Sequence, residues 1–288
     1  MDLLVTGATG FVGSHLVPAL GGAHRIYALA RRSGAPTLGI KWIECDLAFG
    51  LPVQRLPRRI DAIFHLAQSR RDRDFPTGAR DIFAVNVQAT LELLEYARSS
   101  GAARFVLTSS GGVYGSGPQP FRETDALRPP DFYLSSKQCA EAVATCYEQF
   151  FALVILRPFF IYGPGQSGRL IANLAARIVA GEAIQVAGGN GPRLNPVYVD
   201  DVMNVFGAVL RPEVSGTYNL AGPEVVSLRQ LAEMIGATAG APPRFSVPPG
   251  VAGDLVANID RLRALGCTPR VGLAEGLRRT LGRRKPAG

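Results

Sequence analysis

Lysine is nearly missing from this 288-residue chain: only Lys41, Lys137 and Lys285 occur, so all but three of its 31 basic residues are arginine. Cysteine and histidine are as scarce. Cys45, Cys139, Cys146 and Cys267 are scattered without C-x-x-C spacing, which gives no basis for a disulfide framework, and His15, His24 and His65 form no ligand cluster, so no metal is expected. Met1 runs straight into an apolar strand with no basic leader, and no apolar run nears the ~20 residues of a membrane span, so the cytoplasm is the expected compartment. The densest basic cluster, Arg278, Arg279, Arg283, Arg284 and Lys285, has no interleaved aromatics on which bases would stack. It reads as a solvated tail, not a nucleic-acid surface. A net charge of +8 suits an anionic small substrate or a phosphate-rich cofactor.

What is present is organised by the first turn. Leu3 to Thr6 is an apolar run of strand length, Gly7, Gly10 and Gly13 follow at regular spacing, and Phe11, Val12, Leu16, Val17 and Leu20 recur with helical period. Such a strand, turn and helix leaves the helix's first N–H groups unpaired at the positive end of the macrodipole, a seat for a pyrophosphate. Gly7 makes the turn, Gly10 admits a dinucleotide and Gly13 lets helix and strand touch. Further strands at 25–30, 41–45, 60–67, 103–108 and 151–156 alternate with helices, including one over 81–100. That alternation specifies an α/β fold with a doubly wound parallel sheet. The expected division is a dinucleotide-binding Rossmann domain over 1–158 and a smaller substrate-binding region over 159–288, of which about 195–222 returns to the first domain. Helices are expected over 170–179 and from a Ser227 cap to 235.

The end of the second strand carries Arg31 and Arg32 and no acid, which points to the 2′-phosphate of NADP, with NAD as the alternative. Asp46 and Leu47, after the third strand, are placed to meet the adenine. The charged loop Gln68 to Asp74 either holds a phosphate or is solvated, His65 is a packed residue, and Asn86 is a lone amide on its helix. Tyr133 and Lys137 lie one turn apart on a helix. With eight tyrosines and three lysines in 288 residues, chance supplies roughly 0.08 such pairs. An ammonium beside a phenol favours the phenolate, so Tyr133 can exchange a proton at a carbinol oxygen while hydride moves, with Ser110 holding that oxygen.

These motifs together resemble the extended short-chain dehydrogenase/reductases, specifically the NAD-dependent epimerase/dehydratase family that modifies nucleotide sugars. The resemblance runs over nearly the whole chain: Thr6 to Gly13, His65-Leu66-Ala67, Asn86-Val87, Ser109 to Gly115, Tyr133 to Lys137, Arg157-Pro158, Tyr162-Gly163-Pro164 and Val199-Asp200-Asp201-Val202. It implies Ser110, Tyr133 and Lys137 as the catalytic set. It implies a cofactor site built from Gly7, Thr9, Gly10, Phe11, Val12, Gly13, Arg31, Arg32, Asp46, Leu47, Leu66, Ala67, Gln68, Asn86, Tyr133, Lys137 and Pro158. Substrate contacts fall to Ser110, Gly111, Phe160 and Arg193, the last at the place of a family arginine that holds diphosphate, and a homodimer is implied. Three departures stand out. Phe160 replaces a frequent asparagine, Gly111-Gly112 replaces the Asp-Glu pair of dehydratases, and Pro248-Pro249-Gly250 occupies the region where a later arginine precedes a Gly-Asp pair.

The first functional expectation is an enzyme transferring hydride at a sugar carbon of a nucleotide sugar, an epimerase or a 4-keto reductase. Glycines 111 and 112 supply no carboxyl for elimination, so a dehydratase is excluded. An NADP-dependent reductase of a non-sugar carbonyl is the alternative, on the apolar Phe159 and Phe160. A cofactor-sensing protein without turnover is a third reading, since fold does not fix function.

Overall fold

The computed structural model describes residues 1–282, so Arg283, Arg284 and Lys285 of the basic cluster lie outside the described residues. The elements run β1 (Asp2–Thr6), α1 (Phe11–Gly21), β2 (Arg25–Ala30), β3 (Ile40–Glu44), β4 (Ala62–His65), α2 (Ala79–Phe83), α3 (Ala89–Ser100), β5 (Arg104–Thr108), α4 (Phe132–Thr145) and β6 (Ala152–Pro158). They continue as β7 (Ile161–Tyr162), α5 (Leu170–Val179), β8 (Ala183–Gln185), β9 (Arg193–Leu194), β10 (Val197–Tyr198), α6 (Val199–Ala208), β11 (Gly216–Leu220), β12 (Val226–Ser227), α7 (Leu228–Ala239), β13 (Arg244–Ser246), α8 (Asp260–Ala264) and α9 (Leu273–Leu281).

Two units divide the chain. The first comprises Met1–Gly115, Ala126–Arg157 and Met203–Tyr218, and the second Ser116–Asp125, Pro158–Val202 and the described residues from Asn219 on. The fold is Rossmann-like, a seven-stranded sheet in the order β11-β6-β5-β4-β1-β2-β3, with every pairing from β3 through to β6 parallel. Leu3, Leu4 and Val5 of β1 are all fully buried, as are Ile63 and Phe64 of β4, because helices cover both faces of a parallel sheet. On one face Leu4, Ile63 and Phe105 pack with Leu93 and Leu94 of α3 and Ala144 of α4. Chain order reverses between β1 and β4, so their carboxyl ends open a crevice where ligands of such sheets bind.

The sequence pattern predicts one helix over 81–100. The structure interrupts it with a π turn over Ala84–Gln88. Thr90 Oγ donates to the carbonyl of Asn86 at 2.7 Å within that irregular turn. The proline-rich stretch 117–130 reads as one connecting loop; the structure divides it, with 116–125 in the second unit, where Gly117 and Phe121 donate backbone bonds to Asp254 and Val256 at 2.9 and 2.7 Å. That unit is built on two-stranded pairs, β7 with β10, β8 with β13 and β9 with β12. Helix α7 starts with a full capping box between Ser227 and Gln230.

Candidate active site

The glycine turn is shaped by backbone proximity. Gly7 has φ +66, and a Cβ there would come 2.8 Å from the nitrogen of Ala67. A Cβ on Gly13 would stand 2.8 Å from the Cα of Ala8, so α1 can lie against the turn only with glycine at 13. Gly10 caps α1 without a side chain, and the first turn of α1 holds no acid. Thr9, Phe11 and Val12 flank this open helix end, which fits the pyrophosphate of a dinucleotide.

Across from it, β4 delivers Leu66, Ala67 and Gln68. Ala67 N–H donates to Thr6 Oγ at 3.1 Å, Thr6 Oγ lies 2.7 Å from His65 Nδ1, and His65 Nε2 lies 3.0 Å from Thr90 Oγ. Thr90 spends its own proton on the Asn86 carbonyl, so His65 must donate from Nε2 and accept at Nδ1. Burial, with the charge of Lys137 adding to it, holds this imidazole down to about 3. His65 is therefore a neutral structural group joining β1, β4 and α3, the packed residue expected.

A second set of bonds fixes α4, the helix that carries Tyr133 and Lys137. Asn86 is buried, its Oδ1 accepts from Ser69 N–H at 2.9 Å, and its Nδ2 donates to Ser136 Oγ at 2.9 Å. Ser136 Oγ donates in turn to the Tyr133 carbonyl at 2.6 Å. Both ends of the Asn86 amide are thus engaged inside the protein, tying the segment after β4 to α4. Asp131 caps α4 by accepting from Leu134 N–H at 2.7 Å.

On α4, the Tyr133 hydroxyl donates to Gln68 Oε1 at 2.7 Å, and Lys137 Nζ stands 6.0 Å from the Tyr133 ring centroid while donating to the Thr108 carbonyl at 3.1 Å. Lys137 is 3% exposed, and burial pushes its ammonium down to about 8 against the upward pull of Glu141, one turn further on. Glu141 is in turn gripped by Arg157 through Nε at 3.1 and 3.2 Å and Nη2 at 2.6 Å, and Arg157 Nη1 donates to the Tyr114 hydroxyl at 2.7 Å. This buried pair beneath Lys137 is absent from the sequence reading, although the four-residue spacing of Lys137 and Glu141 was a signal for it. Ser110 starts a 3-10 turn over Gly111–Tyr114 and accepts from Gly112 N–H at 3.1 Å. Beside it the buried hydroxyls of Thr108 and Ser109 have no hydrogen-bond partner among the described residues.

The adenosine end differs from the sequence reading. Arg31 and Arg32 are exposed, but register pairs Ala30 with Glu44, so the end of β3 brings an acid to this turn. Glu44 Oε1 accepts from Ser33 N–H at 2.9 Å, and that bond holds its carboxyl below the ordinary range. The sequence reading found no acid because it followed the chain along β2 and not across to β3. Asp46 accepts from Ala48 N–H at 3.0 Å, and Leu47 beside it is buried.

In the second unit Pro158 ends β6 and Phe159 is 1% exposed, so Phe159 is core and cannot form the apolar wall expected of it. Phe160 has φ 50, alone among the described non-glycine residues, at a strain of about 1–3 kcal/mol. An asparagine tolerates that backbone better. Arg193 is held by Asp254, which accepts from its backbone N–H at 2.7 Å and from Nε at 2.8 Å. A Gly253-Asp254 pair is thus present, preceded by Val251 and Ala252 and by no arginine.

The model of the NAD dependent epimerase/dehydratase family matches residues 3–221. The chain is 31% identical to a UDP-glucose 4-epimerase of Mycolicibacterium smegmatis over 98% of this chain and 97% of that protein. It is 29% identical to a dTDP-4-dehydro-6-deoxy-D-allose reductase of Streptomyces bikiniensis, covering 86% and 84%. Among solved structures, MoeE5 in complex with UDP-glucuronic acid and NAD superimposes with a TM-score of 0.86 at 30% identity, covering 98% of each chain.

Proposed function

The chain belongs to the NAD-dependent epimerase/dehydratase family, and from that premise we propose that this enzyme is a 4-epimerase of a UDP-hexose or UDP-hexuronic acid that uses NAD. The observation that carries the proposal is the Tyr133–Lys137 pair, set on one face of α4 in the same unit as the glycine turn. A bound nicotinamide ring supplies a hydride acceptor that can return the hydride. The chain supplies the rest. Tyr133 takes the proton of the hydroxyl at the reacting carbon and gives it back when hydride returns, Lys137 favours the phenolate during that exchange, and Ser110 orients the oxygen. Gly7 and Gly13 let the turn close against Ala67 and Ala8, Gly10 leaves room for the pyrophosphate, and Asn86 keeps α4 in place.

Elimination is not part of this reading: Gly111 and Gly112 stand where a dehydratase carries its two carboxyls, and glycine supplies none. Glu44 supports NAD over the NADP suggested by Arg31 and Arg32, because its carboxylate opposes a 2′-phosphate at the Ser33 turn. The relatives favour a nucleotide sugar over a non-sugar carbonyl. A cytoplasmic homodimer completes the proposal, and light scattering tests the dimer. The decisive experiment incubates the purified protein with UDP-glucose or UDP-glucuronic acid and no added reductant, then resolves the 4-epimers by chromatography. Stoichiometric consumption of NADH or NADPH with a 4-keto-6-deoxy sugar nucleotide, and no epimerisation, assigns it instead to reduction. Tighter binding of NADP than of NAD refutes the cofactor assignment.

A further inference from the structure

Gln68 sits between two anchored backbone amides. Ala67 N–H is held by Thr6 Oγ at 3.1 Å and Ser69 N–H by Asn86 Oδ1 at 2.9 Å, while Ser69 Oγ donates to Asp81 and accepts from Arg71 N–H at 3.0 Å. From this fixed stem the Gln68 carboxamide accepts the Tyr133 hydroxyl at 2.7 Å. The bond closes a ring: Gln68 to Tyr133, the Tyr133 carbonyl to Ser136, Ser136 to Asn86, Asn86 to Ser69, and Ser69 back to Gln68. A carboxamide carried to the Tyr133 hydroxyl by so fixed a stem has a chemical consequence. The proposed reaction needs Tyr133 both as phenol, a donor, and as phenolate, an acceptor only. A carboxamide can serve both, because Oε1 accepts and Nε2 donates, and half a turn about its last bond exchanges them.

We propose that Gln68 is a positioning residue for proton transfer at Tyr133, accepting from the phenol through Oε1 and donating to the phenolate through Nε2. The inference rests on the assignment of Tyr133 as the proton carrier. As the substrate hydroxyl gives its proton to the phenolate, the new Tyr133 O–H bond turns to the amide oxygen. The reverse transfer sends that proton back to the substrate oxygen and the amide nitrogen takes over. The charged and titratable groups around Tyr133 are Lys137 and Glu141 on its own helix, Asp131 at the helix start, His65 on β4, Asp81 on α2, and the Arg71–Asp74 pair after Gln68. Among them Lys137 favours phenolate, while none of the carboxylates can donate to it.

The test is titration of Tyr133 itself, read as phenolate absorbance of the intact protein minus that of the Tyr133→Phe variant, with and without NAD. It needs no substrate, so it stands apart from whether the substrate assignment is right. Gln68→Met keeps the bulk and removes the donor. Tyr133 should then titrate higher, by about half a pH unit or more, and Gln68→Glu, which can only accept and adds negative charge, should raise it by at least about one unit, a tenfold loss of phenolate at fixed pH. If Gln68→Met leaves the titration in place or moves it lower, the amide serves only the phenol and the proposal is overturned. Gln68→Ala provides the same reading should the methionine variant fail to fold.

Discussion

Replacing Arg157 by methionine isolates the buried pair beneath Lys137. Arg157 and Glu141 are 8% and 6% exposed in their side chains, and the guanidinium grips the carboxylate through Nε and Nη2 at 2.6–3.2 Å. Methionine fills the stem but leaves the carboxylate charged and dry. Breaking a buried pair from one side costs about 3–5 kcal/mol, because the charge left behind has neither water nor a partner. The lost bond from Arg157 to the Tyr114 hydroxyl, 2.7 Å in the structure, acts in the same direction. At a urea dependence of about 2.5–3 kcal/mol per molar, the midpoint of unfolding should fall by about 1–2 M. Adding Glu141→Gln removes the stranded charge, so the double variant should recover much of the loss, since a neutral replacement of both partners is far less costly than a half-broken pair. A single variant within 1 kcal/mol of the parent, or a double variant weaker than the single, would show that the pair does not carry this charge balance.

Acid should unfold the protein through His65. Its folded value near 3 lies below the ordinary 6.5, so between those limits the unfolded chain binds a proton that the folded chain refuses. Stability should fall as pH drops through that window, by up to about 5 kcal/mol at 1.36 kcal/mol per unit, and denaturation curves at pH 7, 5.5 and 4 should show a shallower decline in His65→Gln. Tyr133→Phe should keep NAD binding by fluorescence titration and lose turnover by ~10² to 10⁴, and a variant within a few-fold of the parent would remove Tyr133 from proton transfer. Gly13→Ala drives a methyl into the Ala8 backbone and should cost about 1–3 kcal/mol together with most of the NAD affinity, both measurable by thermal shift with and without cofactor.

The sequence by itself determined whatever depends on local period and on residues near in the chain. Apolar runs of four to six residues alternating with 3-to-4 periodicity leave few arrangements besides a doubly wound parallel sheet, and the Gly7, Gly10 and Gly13 turn and the Tyr133–Lys137 spacing are each contained within one or two helical turns. Ser227 as a helix cap is likewise local, since the bond it makes spans three residues. What tertiary structure decided are the contacts across strands and between segments far apart in sequence. Glu44 reaches the Arg31–Arg32 turn only because parallel register pairs Ala30 with Glu44, and Gln68 meets the Tyr133 hydroxyl across 65 positions. The tautomer of His65 follows from a chain of partners running from Thr6 to Thr90, and the lowered pKa of Lys137 from burial that no composition reveals. Phe159, apolar in either setting, became core once β6 was placed, because an apolar side chain alone does not say which way it faces. Pairings at such separation depend on which face of which strand is covered, and that is settled when the sheet closes its core, not by the order of residues along any one segment.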